Sequence, residues 1–254
     1  MSGVPLNRAL SKLGILSRAQ ATAAILAARV RVNGRIITDP AYLVVPERAR
    51  IAVDDTPRER SAWRTVLLHK PRGTVTTRRD PDGRRTVYDL VGDADPGLNA
   101  VGRLDLATTG LLLLTTDTQL ANWITDPANA VPRVYVVTVR GEVTGDQAAA
   151  LRDGVVSGHD RLRAAAVTCR KASRRESHLI VELREGRNRE VRRLFEGIGH
   201  EVTRLKRVSL GGLELGDLVP GRWRDVTPGE LRAAFPQAPV SRVDPRRSRG
   251  AADR

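Results

Sequence analysis

The stretch "VGRLDLATTGLLLLTTD", residues 101–117, sets one carboxylate, Asp105, between Leu104 and Leu106, after Arg103 and ahead of hydroxyls, Gly110 and four leucines. This reads as a loop that runs into an apolar strand. A carboxylate so placed is held and partly desolvated. The plainer alternative is an Arg103–Asp105 ion pair that closes a turn, with the threonines capping it. No His, Cys or second carboxylate stands at ligand spacing, which leaves zinc and magnesium without a site. Ser-His nucleophilic catalysis lacks its elbow motif.

Outward from this stretch, apolar strands are expected at Val66 to Leu68, Val134 to Val139 and Leu179 to Leu183, alternating with short helices at Leu120 to Ile124, Ala148 to Leu151 and Val191 to Ile198. Thr144 with Gln147, and Thr227-Pro228 with Glu230, form capping boxes that fix two helix starts. The fold class is α+β, with a mostly antiparallel mixed sheet and flanking helices.

Nearer the N-terminus the pattern differs. Leu6, Ala9, Leu10 and Leu13 recur at helical spacing until Gly14, and Ser17 with Gln20 opens a second helix through Ala28. Val30, Val32, Ile36 and Ile37 then flank Asn33-Gly34, a strong hairpin-turn signal, and another strand follows at Arg50 to Val53. Residues 1–55 thus form a helix-helix-hairpin module. A charged stretch containing Pro57 serves as linker over 56–62, the main domain occupies 63–238, and 239–254 is a basic tail expected to be disordered.

Lys and Arg number 43 against 29 Asp and Glu, a net charge of +14, and all but Lys12, Lys70, Lys171 and Lys206 are arginine. The guanidinium fork grips phosphate bidentately, so a polyanion is the expected partner. Three Trp, three Tyr and two Phe are too few for a broad base-stacking platform. The single Cys169 excludes an intramolecular disulfide and a zinc knuckle. With no apolar stretch of membrane-spanning length and no signal-peptide pattern, the expectation is a cytoplasmic protein with no membrane partner. Nothing in the sequence suggests an obligate dimer, and a monomer is expected.

Arg8, Lys12, Arg18, Arg29, Arg31 and Arg35 surround the N-terminal helix pair and hairpin. A solvated charged surface is the bland reading. The order of motifs, however, resembles the RNA-binding domain first described in small-subunit ribosomal protein S-four. Gly14 ends the first helix, Ser17-Arg18 opens the next, and Arg31-Val32-Asn33-Gly34 supplies the turn. Ala28 stands where that family commonly has Gly, a change expected only to tighten the helix end.

The main domain resembles the bacterial ribosomal-RNA pseudouridine synthases that carry such a module. The resemblance rests on "HKPRG" at 69–73, "GRLD" with "TTGLLLLT" at 102–115, "VPRVYVVTVRG" at 131–141 and "LREGRNREVRRLF" at 183–195, in that order. It implies an isomerase that turns a specific uridine of ribosomal RNA, free or in an assembly intermediate, into pseudouridine. Residue by residue it implies Asp105 as the catalytic carboxylate, Tyr135 beside the uracil and Arg192 as the partner of Asp105, with Arg189 the alternative partner. Arg103, Arg187, Arg189 and Arg193 are the further candidates for RNA contact. Glu190 replaces a common Gln.

The chemistry fits those residue types. Breaking a carbon-nitrogen glycosidic bond, turning the base and rejoining it through carbon 5 is redox-neutral, so neither metal nor cofactor is expected. The reaction needs an ionised carboxylate, which a neighbouring guanidinium would keep charged. Tyr135 shares a strand face with Val137 and Val139; it either stacks on the base and helps remove the carbon 5 proton, or is a core residue with a satisfied hydroxyl. The competing account of the whole chain is a non-catalytic RNA-binding or ribosome-assembly factor using the same basic surfaces.

Overall fold

The computed structural model describes residues 3–239 apart from 14, 17, 47, 55, 58–62 and 93–96. In the N-terminal module, α1 (Leu6–Lys12) and α2 (Arg18–Leu26) pack on a small sheet formed by β1 (Val30–Val32), β2 (Arg35–Ile36) and β3 (Ile51–Val53). Its core is its own: among the described residues, Leu6, Leu10, Ile25, Val30 and Val53 cluster without one from the main domain. The hairpin turn forms as its sequence requires, with Asn33 at φ 49° and Gly34 at φ 84°, the doubly left-handed geometry that matches the twist of paired strands.

Two boundaries differ from expectation. Helix α2 ends at Leu26, and Ala28 adopts φ 58°. Far from tightening the helix end, Ala28 occupies a left-handed turn where its Cβ is strained and glycine would not be. Thr56–Pro57 pairs antiparallel with Ala52 and Val53, so the module's sheet extends into the expected linker. The Ser17 capping box and the tail from residue 240 on lie outside the described residues.

The main domain is built on a sheet of β4 (Thr65–Lys70), β5 (Thr109–Thr115), β6 (Arg133–Arg140), β7 (Ala166–Ala172), β8 (Glu176–Leu183), β9 (Val202–Leu210) and β10 (Trp223–Asp225). The spatial order is β7-β8-β6-β9-β5-β4-β10. Every neighbouring pair along this path is antiparallel except one, β5 against β9, where Thr109 and Gly110 lie beside Lys206 and Arg207.

The leucine run explains why β5 is central. Leu112 and Leu114 enter one core with Val137, Leu179 and Phe195, while Leu111 and Leu113 enter the other with Leu120, Ile124 and Phe235. A strand buried on both faces has no polar alternation to keep. Helix α3 (Val87–Val91) starts on a Thr86/Asp89 capping box, α4 (Thr118–Thr125) on Asp117, and α5 (Gly145–Asp153) and α7 (Pro228–Ala234) on the boxes expected at Thr144 and Thr227. Helix α6 (Glu190–Glu196) ends two residues before Ile198. Among the described residues, no helix is long and apolar enough to cross a membrane.

Gly110 makes the parallel junction possible. A Cβ built there would lie 2.1 Å from the carbonyl oxygen of Arg207, and the residue has φ 107°. Backbone therefore meets backbone at the one place where the antiparallel halves of the sheet join.

Candidate active site

Asp105 lies four residues before β5, on a loop pinned from below by the segment after β4. Gly73 donates its N–H to the Leu106 carbonyl at 2.9 Å, and Thr76 Oγ1 donates to the Leu104 carbonyl at 3.0 Å. Lys70 Nζ donates to the carbonyls of Thr108 at 2.8 Å and Pro71 at 3.1 Å. Lys70 is fully buried. Burial pushes its pKa down to about 8, against the opposing pull of the Asp105 charge. No role was visible for Lys70 in the sequence; a lysine closing a strand that is otherwise apolar was the available signal.

The loop forms one wall of a cleft of about 160 Å³, with Tyr135, Gly186, Arg189, Glu190 and Arg207 among its other lining residues. Asp105 is partly exposed, and its carboxylate faces Arg189 Nη1 at 3.8 Å. Among the described residues Arg103 forms no ion pair with Asp105, and it lies exposed at the cleft edge. Arg192, expected as the direct partner, donates from Nη1 to the Val202 carbonyl at 2.8 Å instead. It reaches Asp105 as a nearby charge only: burial and the neighbouring Arg189 lower its pKa, and Asp105 opposes them.

The reason for the exchange is local. Arg189 has φ 51°, in the left-handed region, and immediately precedes α6, so the backbone turns there. That turn is closed by Glu190, whose Oε2 accepts the N–H groups of Gly186 and Arg187 at 2.9 Å each. Glu190 is buried, and burial raises its pKa.

Tyr135, 8% exposed on β6, sits in register with Val181 on one side and Arg207 on the other. Directly opposed residues on neighbouring strands share a face, which puts the Arg207 side chain beside the ring. Arg207 Nε donates to the Leu111 carbonyl at 2.7 Å. Arg133 is likewise buried, with Nη1 and Nη2 donating to the carbonyls of Val131, Arg184 and Ile124. Gly186 permits this: a Cβ there would lie 3.1 Å from Arg133 Nε.

Other expected RNA contacts divide clearly. Arg8 and Arg18 are exposed, and the Lys12 side chain lies outside the described residues. Arg31 Nη1 donates to the Gly34 carbonyl at 3.3 Å. Arg29 is held in a two-bond pair with Asp54, at 2.7 and 2.6 Å. Arg187 pairs with Asp160 and Glu185. Arg193 binds Ser157 and Asp160, which fastens α6 to a hairpin outside the main sheet. Arg29, Arg187 and Arg193 thus have intramolecular partners that the sequence reading did not foresee.

The model of RNA pseudouridylate synthases matches residues 64–197, more than half of the chain. The chain belongs to this family. In the module ahead of it, residues 4–48 match the S4 domain. An RNA pseudouridine synthase of Aquifex aeolicus is 36% identical over 236 residues, covering 92% of this chain and 95% of that protein. Ribosomal large subunit pseudouridine synthase B of Bacillus subtilis is 34% identical over 229 residues, covering 89% and 93%. A crystal structure of a pseudouridylate synthase superposes with a TM-score of 0.63 at 28% identity, over 90% of this chain and 98% of that one. A pseudouridylate synthase is an isomerase, and the cleft beside Asp105 is where this chain assembles carboxylate, tyrosine and arginine.

Proposed function

We propose that the protein isomerises a uridine of ribosomal RNA to pseudouridine, with Asp105 as the catalytic carboxylate acting on a nucleotide flipped out of its stack. The observation that carries this is the Asp105 carboxylate, partly exposed in a cleft and facing the Arg189 guanidinium at 3.8 Å. A base inside a helix offers no access to carbon 5 or to the glycosidic bond, so the nucleotide must enter the cleft. Asp105 then attacks or stabilises the sugar or base as the carbon-nitrogen bond breaks; the freed base turns, carbon 5 bonds to the sugar, the carbon 5 proton leaves, and the released N1 takes up a proton, so the product is an isomer of the substrate. Nothing is oxidised or reduced.

The surrounding residues divide the work. Arg189, 3.8 Å from the Asp105 carboxylate, holds it in place in the cleft, and Arg192 and Lys70 are the next positive charges around it. Tyr135 stacks on the uracil and assists removal of the carbon 5 proton. Arg103, at the cleft edge, contacts the RNA or fills the gap left by the displaced nucleotide. The N-terminal module supplies phosphate contacts that offset the few kcal/mol, in order of magnitude, that flipping costs. Ribosomal RNA as the substrate rests on the names of the relatives and on the RNA-binding module.

The experiment is to map pseudouridines across ribosomal RNA from cells with and without the gene, and then to repeat the modification on a transcript with purified protein. Loss of a defined position, restored in vitro, is expected. No change at any position together with no activity on transcripts would favour the non-catalytic RNA-binding factor.

A further inference from the structure

Four buried side-chain polar atoms among the described residues have no hydrogen-bond partner: Thr108 Oγ1, Glu190 Oε1, Arg192 Nε and Arg207 Nη2. Buried polar atoms in folded proteins are nearly always paired, so each exception needs a cause. Three of these four residues, Thr108, Glu190 and Arg207, line the Asp105 cleft. They are 2%, 3% and 3% exposed, and come from three separate places in the chain: the Asp105 loop, the start of α6, and β9.

Each is otherwise fixed. The Thr108 backbone carbonyl takes Lys70 and its N–H takes the Asp105 carbonyl; Arg207 Nε holds Leu111; Glu190 Oε2 holds Gly186 and Arg187. The fold thus ties each of these residues to backbone through other atoms and leaves one buried polar atom of each unpaired, in residues that line the cleft. Arg207 Nη2 can only donate, and the Thr108 hydroxyl can donate or accept.

Building on the reading of the cleft as a pseudouridine-forming site, we propose that Thr108 and Arg207 read the edge of the flipped base, donating to its two carbonyl oxygens. A uracil presents two carbonyls flanking an N–H. Turning the base about the axis through N3 and C6, which brings C5 to where N1 had been, exchanges those carbonyls. Two donors therefore meet the same pattern before and after the turn, and they retain a base that is momentarily bonded to nothing. Cytosine, with an amino group in place of one carbonyl, sets donor against donor wherever that amino group meets Arg207, since a guanidinium cannot accept.

Thr108→Val tests this because it removes the hydroxyl and keeps the shape. Since that hydroxyl has no partner to lose, thermal stability should stay level or rise. kcat/KM on an RNA fragment carrying the mapped uridine should fall by roughly tenfold or more, the loss expected for a buried hydrogen bond to substrate. Fragments with 2-thiouridine or 4-thiouridine at the target weaken one carbonyl acceptor at a time. At least one should slow the parent protein and have little further effect on Thr108→Val or on Arg207→Lys, a non-additivity that a merely structural role would not produce.

Parent-like turnover by Thr108→Val, as when a bound water satisfies these atoms, would overturn the inference, as would additive effects of both thio substitutions in both variants. A marked fall in the melting temperature of Thr108→Val would also count against it. If the parent protein formed no pseudouridine at all, the reading of the cleft would fail first, a distinguishable result.

Discussion

Arg8, Arg18 and Arg35 of the N-terminal module present themselves to solvent, whereas Arg133 and Arg207 beneath the Asp105 cleft are buried and bound to backbone carbonyls. Both regions are basic, but the charge does different work in each. Exposed guanidinium groups around a small core attract phosphate at long range, in a manner that salt screens. Buried ones fix the walls of a site, where a misplacement of about 1 Å can cost on the order of 10²-fold in rate. The lesson is that net charge marks a nucleic-acid partner but does not say which arginines meet it.

The sharpest break of the comparison falls at the junction under the cleft. Gly110→Ala would push a Cβ against the Arg207 carbonyl and strain a φ of 107°. A destabilisation at or above the roughly 3 kcal/mol end of overpacking is expected, read as a large fall in melting temperature or in soluble yield. Parent-like stability would mean that the two halves of the sheet do not meet so closely.

Removing residues 1–57 acts on the other side of the comparison. The module's core draws on no main-domain residue, so the remainder should stay folded. Its RNA affinity should drop, and the slope of log affinity against log salt should become shallower, as phosphate contacts are lost. Unchanged affinity and slope in filter binding across a salt series would show the module's arginines to be bystanders.

Glu190 gives a pH signature confined to the cleft. Burial raises its pKa above the ordinary 4.5, so between that value and its folded one the native state binds the proton better than the unfolded chain. Stability conferred by the protonated form is therefore lost as pH rises through this window and stays lost above it. Glu190→Gln keeps an oxygen for Gly186 and Arg187 but carries no charge. Its melting temperature should vary less over the acidic range than that of the parent, and an identical pH dependence would contradict the assignment.

The smallest effect is expected in the module. Ala28→Gly relieves the left-handed conformation at φ 58° and should stabilise the module by up to about 1 kcal/mol. Hydrogen exchange of the α1 and α2 amides would show it as slower exchange, and faster exchange would refute it.

The sequence made much of this legible where structure is set by neighbours in the chain. Asn33-Gly34 dictates its turn, Thr144 and Thr227 start their helices, and the leucines of 111–114 mark a buried strand. What it hid depends on residues far apart. Asp160 captures Arg187 and Arg193 from 27 and 33 residues away, and no local pattern foretells that. The exchange of Arg192 for Arg189 beside Asp105 follows from one left-handed residue ahead of α6, invisible to spacing alone. Lys70 stands in the His69–Gly73 motif, yet its hold on the Asp105 loop exists only because β4 and β5 are neighbours.

The most direct test of the account is Asp105→Asn, assayed for RNA binding and for pseudouridine formation on the same fragment. The change preserves size and removes the charge, leaving Arg103, Arg189 and Arg192 in place. Binding should be retained or strengthened as repulsion of phosphate is relieved, while turnover should fall by a factor on the order of 10⁴ or more. Turnover near the parent rate would show that Asp105 is not the catalytic carboxylate.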